Sequence, residues 1–230
     1  MSFDVANIAY IASVWVLPVL VAITFHEAAH GFAAWKLGDD TAYQLGRVTF
    51  NPLRHVDRFG TIIVPGVLIL LQAPFLFGWA KPVPVDFRRL DSPRRDMVWV
   101  AAAGPGINIG LALGSAALMH VALLVPNPAG GWLIDVLQSS IIINVILAVF
   151  NMIPLPPLDG GRVAVGLLPD ALAYPLARLE RFGLPILIAL IFLLPYVGRQ
   201  FGVSIDIFAW LVAVPARFVI EVIYTAVGLS

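Results

Sequence analysis

The sequence predicts an all-α polytopic membrane protein of five to six transmembrane helices, with a short β-hairpin at the membrane edge and a re-entrant segment near residues 60–80. Three observations lead there. Of 230 residues, 60% are hydrophobic and 12% are charged, whereas a soluble domain runs about 25% charged and 45–50% apolar. The mean hydropathy is +0.92. Apolar runs of bilayer-crossing length also recur along the chain, and crossing a core of about 30 Å takes about 20 helical residues. Lys and Arg number 14 against 14 Asp and Glu, so no polyanion-binding signature is present and no nucleic-acid partner is expected. Cysteine is absent, which excludes disulfides, thiolate metal sites and a cysteine nucleophile. The N-terminus, MSFDVANIAY, has no basic n-region, so the first apolar segment is expected to remain in the mature protein.

In chain order, the first apolar run extends from about Ile8 to Leu37 and contains a polar island, His26-Glu27-Ala28-Ala29-His30. A polar stretch, Asp39 to Asp57, follows. Its centre, Thr41 to Phe50, alternates weakly and is rich in strand formers, which predicts the hairpin. A second apolar stretch covers Gly60 to Trp79, a third about Met97 to Val125, and a fourth about Trp132 to Ile153. The fifth and sixth cover Phe182 to Val197 and Ile205 to Val227. There is no internal repeat, so residues 1–230 read as one domain, with a core at about 8–168 and C-terminal helices at about 180–227.

Basic residues in short loops favour the cytoplasm. Lys36, Arg47, Arg54 and Arg58 precede the second stretch, and Lys81, Arg88, Arg89, Arg94 and Arg95 follow it. A crossing there would split them between two sides. A re-entrant path keeps them together and is favoured also by Pro65 and Pro74, which suit broken backbone packed in protein. The N-terminus is then outside. Arg162, Arg178 and Arg181 join the inner set, and Arg199 falls outside. This gives five spans plus one re-entrant element; a plain sixth span is the alternative.

His26 and His30 stand four residues apart, on one face of a helix and about 6 Å apart along its axis. That spacing lets two imidazoles converge on one Zn²⁺, and Glu27 lies where its carboxylate can take a proton from water. An ionisable side chain within a span costs at least ~2.5–3.5 kcal/mol. Three of them in five residues need a partner, and a cation is the obvious one. A zinc hydrolase uses three protein ligands. His55 and His120, the remaining histidines, read as interfacial. Asp159, in Asn151-Met152-Ile153-Pro154-Leu155-Pro156-Pro157-Leu158-Asp159-Gly160-Gly161-Arg162, follows three helix-breaking prolines. It reads either as a cap of the next helix or as the third ligand, and the paired histidines favour the ligand.

HEAAH in an early span together with NMIPLPPLDGGR in a later one resembles the site-2 protease family of intramembrane zinc metalloproteases, peptidase family M50. Gly104-Pro105-Gly106-Ile107-Asn108 is similar to the family's GPxxN element. The stretches Asn51 to Asp57 and Gly78 to Val85 resemble those of the small bacterial members without PDZ or CBS modules. The resemblance covers about Phe25 to Leu168. It implies one Zn²⁺ held by His26, His30 and Asp159, with Glu27 as general base and then acid, and Asn151 and Asn108 facing the site. It also implies cleavage of transmembrane protein substrates within or near the bilayer, in a bacterial cytoplasmic membrane, with the active site toward the cytoplasm. Three other readings compete. A non-catalytic scaffold or chaperone has no use for Glu27. A two-histidine, one-carboxylate iron oxygenase gives no reason for Glu27 beside the first ligand. An ion transporter would string charges along a path rather than cluster them at one depth.

Overall fold

A computed structural model of the chain describes residues 5–70 and 78–229. Helix α1, Val5–Lys36, carries the HEAAH island in its C-terminal half. It ends at Gly38, whose φ of +107° only glycine adopts readily and where a Cβ would strike the Asp91 carboxylate. The next residues depart from the expected hairpin. Thr41–Gln44 forms a one-turn helix, α2, and no strand occurs among the described residues. The reason is local. Asp39, fully buried, accepts hydrogen bonds from the Thr41 amide at 3.0 Å and its hydroxyl at 2.5 Å, which starts a helical turn. Gly46, with φ of +63°, closes it. Too little chain remains for two paired strands.

A π-helical turn, Arg58–Ile63, runs into α3, Val64–Leu70. Asp57 caps the start by accepting from the Phe59 and Gly60 amides. After residues 71–77 the chain is back where it left. The Trp79 amide donates to the Gly60 carbonyl at 3.1 Å, the Thr61 hydroxyl to the Trp79 carbonyl at 2.9 Å, and the Lys81 amide to the His55 carbonyl at 2.9 Å. A Cβ on Gly60 would lie 2.4 Å from the Trp79 ring, so glycine lets the two ends meet. A crossing would separate these ends by the thickness of the bundle. The middle of the expected re-entrant segment, including Pro74, lies outside the described residues.

Helix α4, Pro93–Ala122, has proline at its first turn, and Asp96 accepts from the Ser92 amide at 2.7 Å. It packs against α1, against α5, Ala129–Asn151, and against α6, Asp159–Leu167. Its buried face is made of small residues, including Ala101, Gly104, Ala112, Ser115 and Ala116. Such residues let helix backbones approach closely in a membrane, where lipid is as apolar as leucine and packing drives association. Helix α7, Asp170–Arg178, precedes α8, Glu180–Ile188, which continues through a π-helical turn into α9, Leu194–Gln200. Helix α10, Val214–Val227, extends another such turn, Ala209–Ala213.

Among the described residues, five helices are long and apolar enough to cross a membrane: α1, α4, α5, the α8–α9 unit and α10 with its preceding turn. The protein is an integral membrane protein. The direction of α10 departs from expectation. At one end of the bundle Tyr10 donates to Asp135 and the Trp132 indole to Ser13 at 3.0 Å. His120, at the same end of α4, bonds the Val227 carbonyl at 2.8 Å. The foot of α10 is at the other end, where Phe208 lines a cavity with His26 and Glu27. The start of α1 and the end of α10 therefore share one end, whereas five full crossings place them at opposite ends. The α8–α9 unit starts at the cavity end, with Gly183 against the Pro156 carbonyl, and Phe208 is already back there. Length and apolarity qualify a helix to cross but do not fix where its ends lie.

The natural chain lacks cysteine, so single cysteines report sidedness directly. Ile8→Cys and Ala226→Cys should react with an impermeant maleimide from one side of sealed vesicles, and Leu53→Cys from the other. Labelling of Ala226→Cys together with Leu53→Cys would contradict this arrangement.

Candidate active site

The two ends of the HEAAH motif and the LDG loop meet. His26 and His30 Nε2 are 3.0 Å apart. Asp159 Oδ2 lies 3.2 Å from the first and 3.3 Å from the second. His26 and Asp159 are buried and His30 is half-buried. Asp159 arrives at the first position of α6, after the PLPPL turn, and Leu158 at the cap position makes no side-chain cap bond. Gly160 and Gly161 allow that turn to close, because a Cβ on either would lie 2.1–2.2 Å from the backbone of Met152 or Pro156.

The hydrogen bonds behind the imidazoles fix which atoms face inward. His30 Nδ1 donates to the Val100 carbonyl at 2.8 Å, and a carbonyl only accepts. His26 Nδ1 is 2.6 Å from Asn108 Oδ1. Both hydrogens of the Asn108 amide are engaged, by the Ala22 carbonyl at 3.2 Å and by Asn144 Oδ1 at 2.7 Å. The Asn108 oxygen therefore accepts from His26. With Nδ1 protonated in both neutral rings, both Nε2 atoms present lone pairs to each other and to the carboxylate. Asp159 Oδ2 is accordingly a buried atom without a hydrogen bond. Three acceptors at 3.0–3.3 Å repel unless a cation lies among them. Ligands about 2.0–2.1 Å from a tetrahedral zinc stand about 3.3 Å apart. The donor set of two imidazole nitrogens and one carboxylate, with an amide oxygen and a backbone carbonyl behind the imidazoles, fits zinc.

The backbone of α4 makes room for this cluster. A Cβ on Gly104 would lie 2.4 Å from His30 Nε2 and 2.7 Å from His26 Cε1. Gly104 opens the Gly104-Pro105-Gly106-Ile107-Asn108 stretch, and its role is steric.

Glu27 points the other way on α1, toward the segment that follows residue 77. Its Oε2 accepts from the Val83 amide at 2.8 Å. Arg47, buried, donates to the Lys81 carbonyl at 2.7 Å and the Pro82 carbonyl at 3.4 Å, and so ties the same segment down. Burial draws the Arg47 guanidinium below its ordinary pKa, Arg54 adds to this, and the Glu27 carboxylate opposes it. Two cavities meet at Glu27. One, about 350 Å³, is lined by His26, His30, Asp159 and Arg162. The other, about 510 Å³, is apolar and lies between α1, α5 and α8. Asn151 and Pro157 line both.

The expected residues thus separate into three groups. His26, His30 and Asp159 converge. Glu27 and Asn151 line the cavities beside them, with Asn151 Nδ2 donating to the Leu147 carbonyl at 3.0 Å. Asn108, expected to face the site, is fully buried behind His26 with both amide hydrogens engaged. His55 is buried against the Thr49 carbonyl and His120 bonds Val227; neither joins the cluster. Asn144, which completes the support of His26, carried no motif. Its one signal is an amide seven residues before Asn151 in an apolar helix.

Similarities to known proteins point to one family. The model of the family described as Peptidase family M50 matches residues 125–194, which include Asn151 and Asp159. A Bacillus subtilis (strain 168) protein named "Putative zinc metalloprotease YwhC" is 39% identical over 179 residues, 76% of this chain and 78% of the relative. "Putative zinc metalloprotease Rip2" of Mycobacterium tuberculosis (strain ATCC 25618 / H37Rv) is 30% identical over 203 residues, 86% of this chain and 75% of the relative. The Rip2 protein of Mycolicibacterium smegmatis is 27% identical over 183 residues, covering 79% and 67%. No solved structure matches significantly.

Gly104→Ala should push the imidazoles apart. Zinc retained by the purified protein should fall at least tenfold while the helical circular dichroism stays unchanged. Full zinc retention by this variant would contradict the close approach of α4.

Proposed function

We propose that this chain, which belongs to peptidase family M50, hydrolyses peptide bonds of transmembrane protein substrates within or near the bilayer. That it is a zinc metalloprotease follows from its relatives and from the His26, His30 and Asp159 group. The proposal concerns where it cuts and how. The observation that carries it is the position of Glu27, at the junction of an apolar cavity and a more polar one that holds the ligand cluster, in an integral membrane protein.

His26, His30 and Asp159 would hold the ion, and Glu27 lines the cavities beside them. One bound Zn²⁺ supplies Lewis acidity, polarising the scissile carbonyl and bringing the pKa of the attacking water toward about 7. Glu27 takes the proton of that water as it closes on the carbonyl carbon, then delivers it to the departing amine. Asn151, with one amide hydrogen on Leu147, keeps its other hydrogen for the substrate backbone or the developing oxyanion. Asn108 serves differently: it holds His26 with Nδ1 protonated and Nε2 free. The polar cavity would admit water and the apolar one a lipid-facing substrate segment. A substrate helix hides its carbonyls in its own hydrogen bonds, so it must unwind before attack. The segment Gly78 to Val85, tied by Arg47, is the non-helical backbone nearest Glu27 and the surface against which an unwound segment would lie.

Basic residues clustered near this end favour the cytoplasmic face of a bacterial membrane. The joined ends of the Gly60 to Trp79 stretch favour a re-entrant path over a crossing.

Glu27→Gln should keep its zinc and lose cleavage of a reconstituted transmembrane substrate by about 10²–10⁴-fold. Undiminished cleavage by that variant would contradict the proposal. A soluble peptide cleaved as fast as the membrane-embedded substrate would remove the intramembrane part of it.

A further inference from the structure

The hydrogen bonds behind His26 do not stop at Asn108. Asn144 Oδ1 accepts from Asn108, and Asn144 Nδ2 donates to the Ser140 carbonyl at 2.8 Å and lies 3.3 Å from its hydroxyl. The Ser140 hydroxyl in turn pairs with that of Ser115 on α4 at 2.8 Å. Asn108 and Asn144 are both fully buried. The chain thus joins α5, α4 and α1 and ends on a ring nitrogen of the metal cluster.

An amide side chain can face either way, and a neutral imidazole can carry its proton on either nitrogen. Here the choice is made at one end. The Ser140 carbonyl can only accept, so the Asn144 NH₂ must face it. That turns Asn144 Oδ1 toward Asn108, which must answer with its own NH₂. Asn108 Oδ1 is then left facing His26, and it demands a proton on Nδ1. The lone pair of Nε2 is thereby committed to the centre. The Ala22 carbonyl also holds Asn108, at the longer distance of 3.2 Å. His30 has no such relay, because a backbone carbonyl holds it directly.

We infer that Asn144 is a positioning residue of the metal site, setting the tautomer and ring orientation of His26 through Asn108 without touching metal or substrate. The inference rests on the reading of His26, His30 and Asp159 as zinc ligands. Partners one shell behind a ligand alter metal affinity by about 10–100-fold when removed.

The test uses the full chain in detergent, with ¹⁵N-labelled histidine. In the zinc-free wild type, the His26 ring should show the Nδ1–H tautomer; the Nε2–H tautomer would overturn the inference whatever the variants do. In Asn144→Leu, the His26 nitrogen signals should become a mixture of tautomers while those of His30 stay in place. Zinc affinity, measured by competition with a chelator, should fall about tenfold. Asn144→Asp, protonated at this buried site, keeps a donor for Ser140 and an acceptor for Asn108. It should stay within about threefold of wild type in zinc affinity and keep the His26 tautomer. A merely structural Asn144 would lower thermal stability in the leucine variant and leave the His26 signals and zinc affinity unchanged, which would overturn the inference. A wild type that binds no zinc would sink the reading of the metal site itself, a distinct outcome from a wild type that binds zinc with an affinity insensitive to Asn144.

Discussion

Three electron-pair acceptors confined at 3.0–3.3 Å in a buried site set the terms for the rest of the molecule. Two imidazole nitrogens and a carboxylate oxygen repel at that separation, more strongly in a buried site than in bulk water. A divalent cation turns the repulsion into binding. The cluster is therefore unfavourable alone and favourable when filled, and the surrounding fold must hold it in place. Most of the unusual features of the chain serve that purpose. Gly104 removes a side chain where α4 would collide with the rings. The PLPPL turn and the two glycines after Asp159 bring a carboxylate to a depth that a regular helix would pass by. Asn108, Asn144 and the Val100 carbonyl spend polar groups inside an apolar bundle to keep two lone pairs pointing inward. Interhelical hydrogen bonds in membranes contribute only about 0.6 kcal/mol each on average, so this network is better understood as directional than as a large source of stability.

The arrangement also separates the tasks of catalysis in space. Glu27 shares a helix with both histidines but faces the neighbouring cavities, one polar and one apolar. Its present partner is a backbone amide, Val83, on a segment held by Arg47. The base is thus placed at the meeting point of the paths water and a lipid-borne chain would take, while the ligands are secured from behind.

Much of this was legible in the sequence. Two histidines four apart in an apolar run, followed by an aspartate after a proline-rich break, have few physical explanations besides a shared cation, and all three residues do converge. The apolar runs gave the long helices to within a few residues, because bilayer-crossing length is a strong constraint. Other features were illegible for stated reasons. The 41–50 stretch has strand-forming residues, but Asp39 and Gly46 impose a helical turn that propensity does not register. Run length could not fix the direction of α10, since that is set by contacts such as His120 with Val227. Asn108 was read as facing the site because a motif marks a position and not the orientation of its amide. Asn144 lay outside every motif.

The most direct test of the central claim is zinc K-edge absorption spectroscopy and metal content of the purified wild type and Asp159→Ala. The convergence of His26, His30 and Asp159 predicts one zinc per chain, with nitrogen and oxygen neighbours at about 2.0–2.1 Å and the scattering pattern of two imidazoles, and loss of that zinc from a folded Asp159→Ala. An unchanged zinc content and spectrum in the folded alanine variant would contradict it.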